Sequence, residues 1–365
     1  MITVLALVVA GGGVSGLLVW GVVALKRASD QAWERLTAAW RAAGSQLGGR
    51  FVPSAGRSQP MTIEAVVDGV GIVIDHYTVS AGDSENVFTR VSALAEGPVG
   101  FKLSMKPGVL ASIGRALGAQ DVVVGDPVFD EAFVVKTSDE DLARAWLAPG
   151  VTPALSAAAD YLHALAKGRV TATRKDIESS SVHLIQVARA TAAVAGRGGQ
   201  LRSEWRRVAH DLGGIVESEL WGHDEPRIEI QARGSRMTVE LTRLASGLFT
   251  KRLVTRVWAR RVGARPDRFV AAERGTLTEA DGEVVPLEGA KGRVEVRSSL
   301  PRVTAGRFDR ELTEALEGLT GARMVAGDDE VAVIFPGLLL QAPPLKLAVT
   351  LVAGLTSSGP EGPYR

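Results

Sequence analysis

Two hydrophobic periodicities alternate along this chain. Ile2 to Leu25 carries no charged side chain over 24 positions. A helix of that length spans about 36 Å, more than the ~30 Å hydrocarbon core of a bilayer. Beyond Arg27 the apolar positions Trp33, Leu36, Trp40, Ala43 and Leu47 recur at helical spacing and stop at Gly48-Gly49, glycines suited to a C-cap. The pattern predicts one helix that leads from an apolar anchor into a globular region.

After Pro60 the period falls to two. Met61 to Val67 and Val70 to Tyr77 flank Asp68-Gly69, a hairpin turn whose central residues both need positive φ. Phe88 to Leu94 and Gly100 to Met105 continue an antiparallel sheet, Val109 to Leu117 reads as a short helix, and Val122 to Val124 reads as a short strand. A strand at Phe133 to Thr137 precedes a helix capped by Ser138 or Asp139. A helix over Thr152 to Ala166, a strand at Arg169 to Thr173 and a helix from Ser181 to about Ala195 complete the first region. Gly196-Arg197-Gly198-Gly199 then reads as a domain joint.

The same order begins again 165 residues on. Trp40-Arg41 and Leu47-Gly48-Gly49 return as Trp205-Arg206 and Leu212-Gly213-Gly214, Ile63-Glu64 as Ile228-Glu229, and Gly69 as Gly234. With one residue added, Thr89-Arg90-Val91 meets Thr255-Arg256-Val257, and 161 residues separate Thr152, Ala154 and Leu155 from Thr313, Ala315 and Leu316. Ordered matches over more than a hundred residues point to duplication. The expected fold is α+β: an N-terminal transmembrane helix and two tandem repeats of helix, antiparallel sheet, helix, strand, helix. The boundaries are 1–27 for the anchor, 28–196 for the first repeat with a membrane-proximal helix over 28–49, 200–355 for the second, and 356–365 for a loose tail. The apolar stretch Leu338 to Leu355 is interrupted by Gln341, Pro343, Pro344 and Lys346, which favours a core helix over a second span.

Charge sets the orientation of the anchor. Residues 26–50 hold five basic side chains (Lys26, Arg27, Arg35, Arg41 and Arg50) against Asp30 and Glu34, so the positive-inside rule places the globular part in the cytoplasm of a bacterial cell, single-pass in the inner membrane. A cleaved signal peptide fits less well, because a basic leading region and a small-residue cleavage site are both missing. Gly12 and Gly16 form a G-x-x-x-G pair suited to helix–helix contact in a homodimer, with glycine's general frequency in spans as the plainer reading.

Composition removes several chemistries. The 42 basic and 41 acidic residues give a net charge of +1, without the whole-molecule attraction of a dedicated nucleic-acid binder. There is no cysteine, hence no disulfide, thiolate metal site or cysteine nucleophile. The five histidines, His76, His163, His183, His210 and His223, show no metal-ligand spacing, and no Walker loop or G-x-S-x-G element is present. Neither a cofactor nor a metal is expected. Asp126, Asp130 and Glu131 read as turn and cap residues before they read as a cation site.

The run Gly125-Asp126-Pro127-Val128-Phe129-Asp130-Glu131-Ala132-Phe133-Val134-Val135, with Asp139 to Pro149 after it, resembles a signature of an uncharacterised bacterial family of membrane-associated proteins. That signature is Phe-Asp-x-x-Phe-x-Val followed by an Ala-Arg-x-x-Leu helix. The resemblance covers about 30 residues of the first repeat only. It implies a membrane-bound bacterial protein and no activity.

One basic stretch stands out: Lys251, Arg252, Arg256, Arg260, Arg261, Arg265 and Arg268 against Asp267 alone. On a strand Arg252, Arg256, Trp258 and Arg260 share a face, which suits anionic lipid head groups. A contact with the acidic segment of the first repeat (Asp121 to Asp141) and a solvated edge strand are the competing accounts. The functional reading is therefore a membrane-anchored, non-enzymatic binding or scaffold protein whose partner is a protein or anionic lipid. A module for a small apolar ligand or lipid is the alternative, and a hydrolase is remote.

Overall fold

The computed structural model describes residues 2–54, 59–82, 84–105, 122–137, 139–147, 150–245, 251–261 and 267–356, with backbone alone for 2–23, 81, 104 and 105. The helix expected at Val109 to Leu117 and the tail beyond Thr356 lie outside these residues. The chain divides into two compact units, one of residues 1–95, 100–136 and 149–196, the other of 96–99, 137–148 and 197–365.

The first unit opens with α1 (Ile2–Gln46), a single 45-residue helix. Its stripe reaches the core at Trp40 and Ala43, both fully buried. Gly48, at φ +63°, ends the helix in a Schellman arrangement, with Gly49 N–H donating to the Gly44 carbonyl at 2.8 Å and Gly48 N–H to that of Ser45 at 3.0 Å. Among the described residues no helix is long and apolar enough to cross a membrane. The side chains of residues 2–23, on which that expectation falls, lie outside them.

Eight strands follow: β1 (Arg50–Val52), β2 (Thr62–Val67), β3 (Val70–Ala81), β4 (Ser84–Leu94), β5 (Phe101–Met105), β6 (Phe133–Thr137), β7 (Leu162–Ala166) and β8 (Arg169–Lys175). They form one sheet in the order β1-β2-β3-β4-β8-β7-β5-β6. The short helix α2 (Pro127–Ala132) precedes β6 in sequence, and α3 (Glu140–Trp146) and α4 (Thr152–Ser156) lie between β6 and β7. Asp126 caps α2 and Asp139 caps α3. α5 (Ser181–Asp211) comes next. Alternate residues Ile63, Ala65 and Val67 of β2 face the core, as do Ile72 and Ile74 of β3.

Val122 to Val124, read from the sequence as a short strand, forms none, and expectations change at two further places. The helix expected over Thr152 to Ala166 stops at Ser156, and Leu162 to Ala166 is a strand, because Lys167 and Gly168 both take positive φ (52° and 69°) and turn it into β8. The two units do divide at Gly196 and Arg197, within the glycines read as a joint, but the helix is not interrupted there: α5 runs through Gly196, Gly198 and Gly199 as one helix of 31 residues.

The second unit holds β9 (Ile215–Ser218), β10 (Arg227–Ala232), β11 (Ser235–Ala245), β12 (Lys251–Arg260), β13 (Phe269–Glu273), β14 (Glu283–Val284), β15 (Val294–Ser298), β16 (Arg323–Ala326) and β17 (Glu330–Pro336), with α6 (Pro301–Ala305), α7 (Arg310–Glu317) and α8 (Ala342–Thr356). Their order, β9-β10-β11-β12-β17-β16-β13-β15-β14, is that of the first sheet with one strand added. Register agrees as well. Ile63 pairs with Ile74 as Ile228 does with Val239, and Ala172 with His163 as Val333 does with Met324. The protein is α+β, with two antiparallel sheets and helices.

One polar clamp recurs in both units. The Thr89 hydroxyl donates to the Asp176 carbonyl at 2.8 Å and accepts from Glu178 N–H at 2.8 Å. Thr255 does the same to the Gly337 carbonyl and from Leu339 N–H, both at 2.9 Å. Each hydroxyl holds the chain as it leaves the hairpin and turns toward the closing helix. Thr89→Val and Thr255→Val each leave a backbone donor and acceptor unpaired, so chemical denaturation should show a loss of about 2 kcal/mol for either variant.

Burial also ties stability to pH. The pKa values of His76 and His163 lie below the ordinary 6.5, in both cases chiefly through burial. His76 Nε2 accepts Met61 N–H at 3.1 Å, which requires the unprotonated nitrogen. Groups that hold protons less readily when folded cost nothing above pH 6.5 and destabilise progressively below it. Stability should therefore be level from pH 8 to 7 and fall by about 1 kcal/mol per histidine toward pH 5.5. His163→Met, which places the second unit's Met324 in the matching position, should remove part of that fall in pH-dependent melts.

Candidate functional site

The basic face expected on β12 is present, with its charges differently employed. Arg256 forms ion pairs with Glu240 at 3.1 Å and with Glu330, and its guanidinium lies 5.1 Å from the Trp258 ring centroid. Arg252 and Arg260 are exposed and have no ion pair among the described residues. Arg261 is buried and donates to the Asp267 and Gly327 carbonyls at 3.1 and 2.8 Å, and Arg268 pairs with Asp328. Gly12 and Gly16 lie in α1 where side chains are not described.

A second polar group emerges from residues that the sequence scatters. His183 Nδ1 lies 2.7 Å from Glu178 Oε2 and its Nε2 lies 2.9 Å from Asp160 Oδ1, while Arg174 reaches Glu178 at 2.5 Å and Asp160 at 2.9 Å. The matching positions in the second unit are Phe335, Leu339 and Pro344, yet the threonine clamp beside them closes just as well. The fold therefore does not require these charges. With both ring nitrogens against carboxylates, His183 has no free nitrogen to act as a base on a ligand.

A candidate ligand site lies in the second unit, under α3. This helix starts on the Asp139 cap, whose carboxylate accepts Leu142 N–H at 3.1 Å and pairs with Arg243 of β11. Asp141 accepts the N–H of Leu253 on β12 at 3.3 Å. At its other end Trp146 is fully buried. Two glycines make room for it. A Cβ on Gly97, whose φ is +116°, would lie 2.7 Å from the Trp146 ring; one on Gly198 would lie 2.9 Å from the ring and overlap the Glu96 carbonyl. Trp221, at φ +70°, sits 5.8 Å from Trp146 between ring centroids and donates its indole N–H to the Gly198 carbonyl at 3.0 Å.

Between α3, the sheet and the loop before β10 lies a cavity of about 360 Å³. Leu142 of the helix, Leu241 and Leu253 of the sheet and Trp221 of the loop give it an apolar wall, and Asp224, Glu225, Arg243 and Lys251 line it with charge. Its size is at the small end of ligand sites, and a mainly apolar lining with a few polar groups is their usual character. Positive φ at a tryptophan is a strained conformation of the kind that collects at binding sites.

The expected contact of the acidic segment with the arginines of β12 is not made among the described residues; Asp139 and Asp141, which belong to the second unit, touch its sheet elsewhere. The contacts are Asp139 with Arg243 and Asp141 with a backbone amide. Trp221 and Gly198 were invisible in the sequence as site residues. The available signal was a tryptophan in a loop of small and polar residues and a glycine inside a helix without a turn.

No family model matches the chain, and no curated protein matches it. Among solved structures it is similar to one described as the crystal structure of the mycobacterial trehalose monomycolate transport factor A, TtfA, at 14% sequence identity and a TM-score of 0.31, over 43% of this chain and 92% of that one. A likeness at that score carries no argument about this chain.

The glycine contacts can be tested within one helix. Gly198→Ala forces the Glu96 carbonyl and Trp146 away and should cost about 3 kcal/mol. Gly199→Ala, with nothing within 4 Å of an added Cβ, should stabilise the helix by up to about 1 kcal/mol in the same thermal melts.

Proposed function

We propose that this is a membrane-tethered, non-enzymatic binding protein whose ligand site is the cavity under α3. The observation that carries the reading is that cavity, walled by both helix and sheet and lined by Leu142, Leu241, Leu253 and Trp221 beside the polar Asp224, Glu225, Thr242, Arg243 and Lys251. The titratable side chains that line it among the described residues are Asp224, Glu225, Arg243 and Lys251, with none of the five histidines. The ligand is a small molecule with an apolar body, so the protein is a carrier or sensor rather than a catalyst.

The tether is residues 2–25, an uncharged run carried by a helix that continues without interruption to the buried Trp40. Its length matches a bilayer core, and the basic residues after it favour a cytoplasmic globular region on the bacterial inner membrane. The matching strand order and register of the two units support descent from a duplicated repeat. Homodimer contact through Gly12 and Gly16, and an anionic-lipid or protein contact through Arg252 and Arg260, belong to the same reading of a protein that works at the membrane.

Two measurements test it. Alkaline carbonate should leave the full chain in the membrane pellet and release a chain lacking residues 2–25; extraction of the full chain would remove the tether. Full chain in phosphatidylglycerol nanodiscs should take up 1-anilinonaphthalene at one saturable site beyond that of empty nanodiscs, and Thr242→Trp, which adds bulk at the cavity wall, should weaken uptake at least about tenfold, or 1.4 kcal/mol. Equal uptake by native protein and empty discs would remove the binding site.

A further inference from the structure

We infer that the ligand of the α3 cavity is a zwitterion with an apolar body. This rests on the reading of that cavity as a binding site and adds the identity of the head group. The charges that line it are unequally committed. Arg243 is neutralised by Asp139, and Glu225 accepts the Thr242 hydroxyl at 3.1 Å and lies 3.8 Å from Arg227. That leaves Lys251 and Asp224, one cation and one anion, neither joined to any ion pair among the described residues and both exposed on the cavity lining.

Opposite charges held apart around an apolar hollow repel a head of either single sign at one point and attract it at the other. A head that carries both signs meets both favourably. Its apolar part then lies on Leu142, Leu241, Leu253 and Trp221, where burial supplies most of the affinity. The matching strand positions of the first unit carry Glu85 for Lys251 and Val87 for Leu253, so the arrangement belongs to the second unit. Two sources offer this chemistry: a single-chain phosphocholine-type lipid and an apolar α-amino acid.

The experiment is displacement of 1-anilinonaphthalene from the full chain in phosphatidylglycerol nanodiscs by dodecylphosphocholine, L-leucine, decanoate and decylamine. With a second favourable charge contact, a zwitterion should displace the probe about tenfold better than decanoate or decylamine. Lys251→Met and Asp224→Asn should each bring it down toward the single-charge compounds. Preference for dodecylphosphocholine identifies a lipid source, and preference for L-leucine an amino-acid source. Equal or better displacement by decanoate or decylamine, or a zwitterion preference that survives both substitutions, overturns the inference while leaving the cavity as a site. Failure of the native chain to take up 1-anilinonaphthalene overturns the cavity reading as well.

Discussion

The close packing of α5 against the Glu96 backbone and the Trp146 indole is the contact on which the site depends. It exists because position 198 has no side chain: an added Cβ would overlap the carbonyl and crowd the ring. With Trp146 seated there, the other end of α3 is fixed by Asp139 on Arg243 and Asp141 on the Leu253 amide. The helix thus has an apolar lock at one end and a charged one at the other. The cavity is the space left between them, where Leu142 faces Leu241 and Leu253 without filling the gap. Cavities of this kind persist only when the surrounding packing cannot collapse into them, and two anchored helix ends prevent that collapse.

The two units act as controls for one another. Both keep the glycine cap, the strand order and the threonine clamp, so these belong to the fold. Where they differ, something beyond the fold has been added. His163 stands where the other unit has Met324, and the Arg174, Glu178 and His183 group stands where it has Phe335, Leu339 and Pro344. Replacing such an ionic group by apolar residues is commonly tolerated by a fold, and the second unit is an instance of it within one chain. A further feature is common to both: Arg90 lies over Tyr77 in one unit and Arg256 over Trp258 in the other, each guanidinium held by a cross-strand carboxylate.

The local elements were largely legible in the sequence. Asp68-Gly69, Gly48-Gly49 and the Asp139 cap each announce themselves by residue type, and all three do in the structure what their chemistry requires. The failures came where local signals conflict. Alanine and leucine over 152–166 favour a helix, but the positive-φ pair Lys167-Gly168 makes the last five residues a hairpin strand. Glycines at 196, 198 and 199 suggest a joint, and the units do divide at Gly196 and Arg197, but the helix continues through it and Gly196 and Gly198 serve close packing: an added Cβ on Gly196 would lie 3.3 Å from Val70. The site was less legible, since Leu142, Trp221, Leu241 and Leu253 are far apart in the chain and each is unremarkable alone. Tertiary placement, not residue type, makes them a wall.

The proposed function rests on a small amphiphile bound in the α3 cavity. Native mass spectrometry of the full chain extracted from its own membranes addresses it most directly. The native protein should carry one small adduct per chain, and the Thr242→Trp variant none. A native chain that carries no adduct, or an adduct that Thr242→Trp retains unchanged, would contradict it.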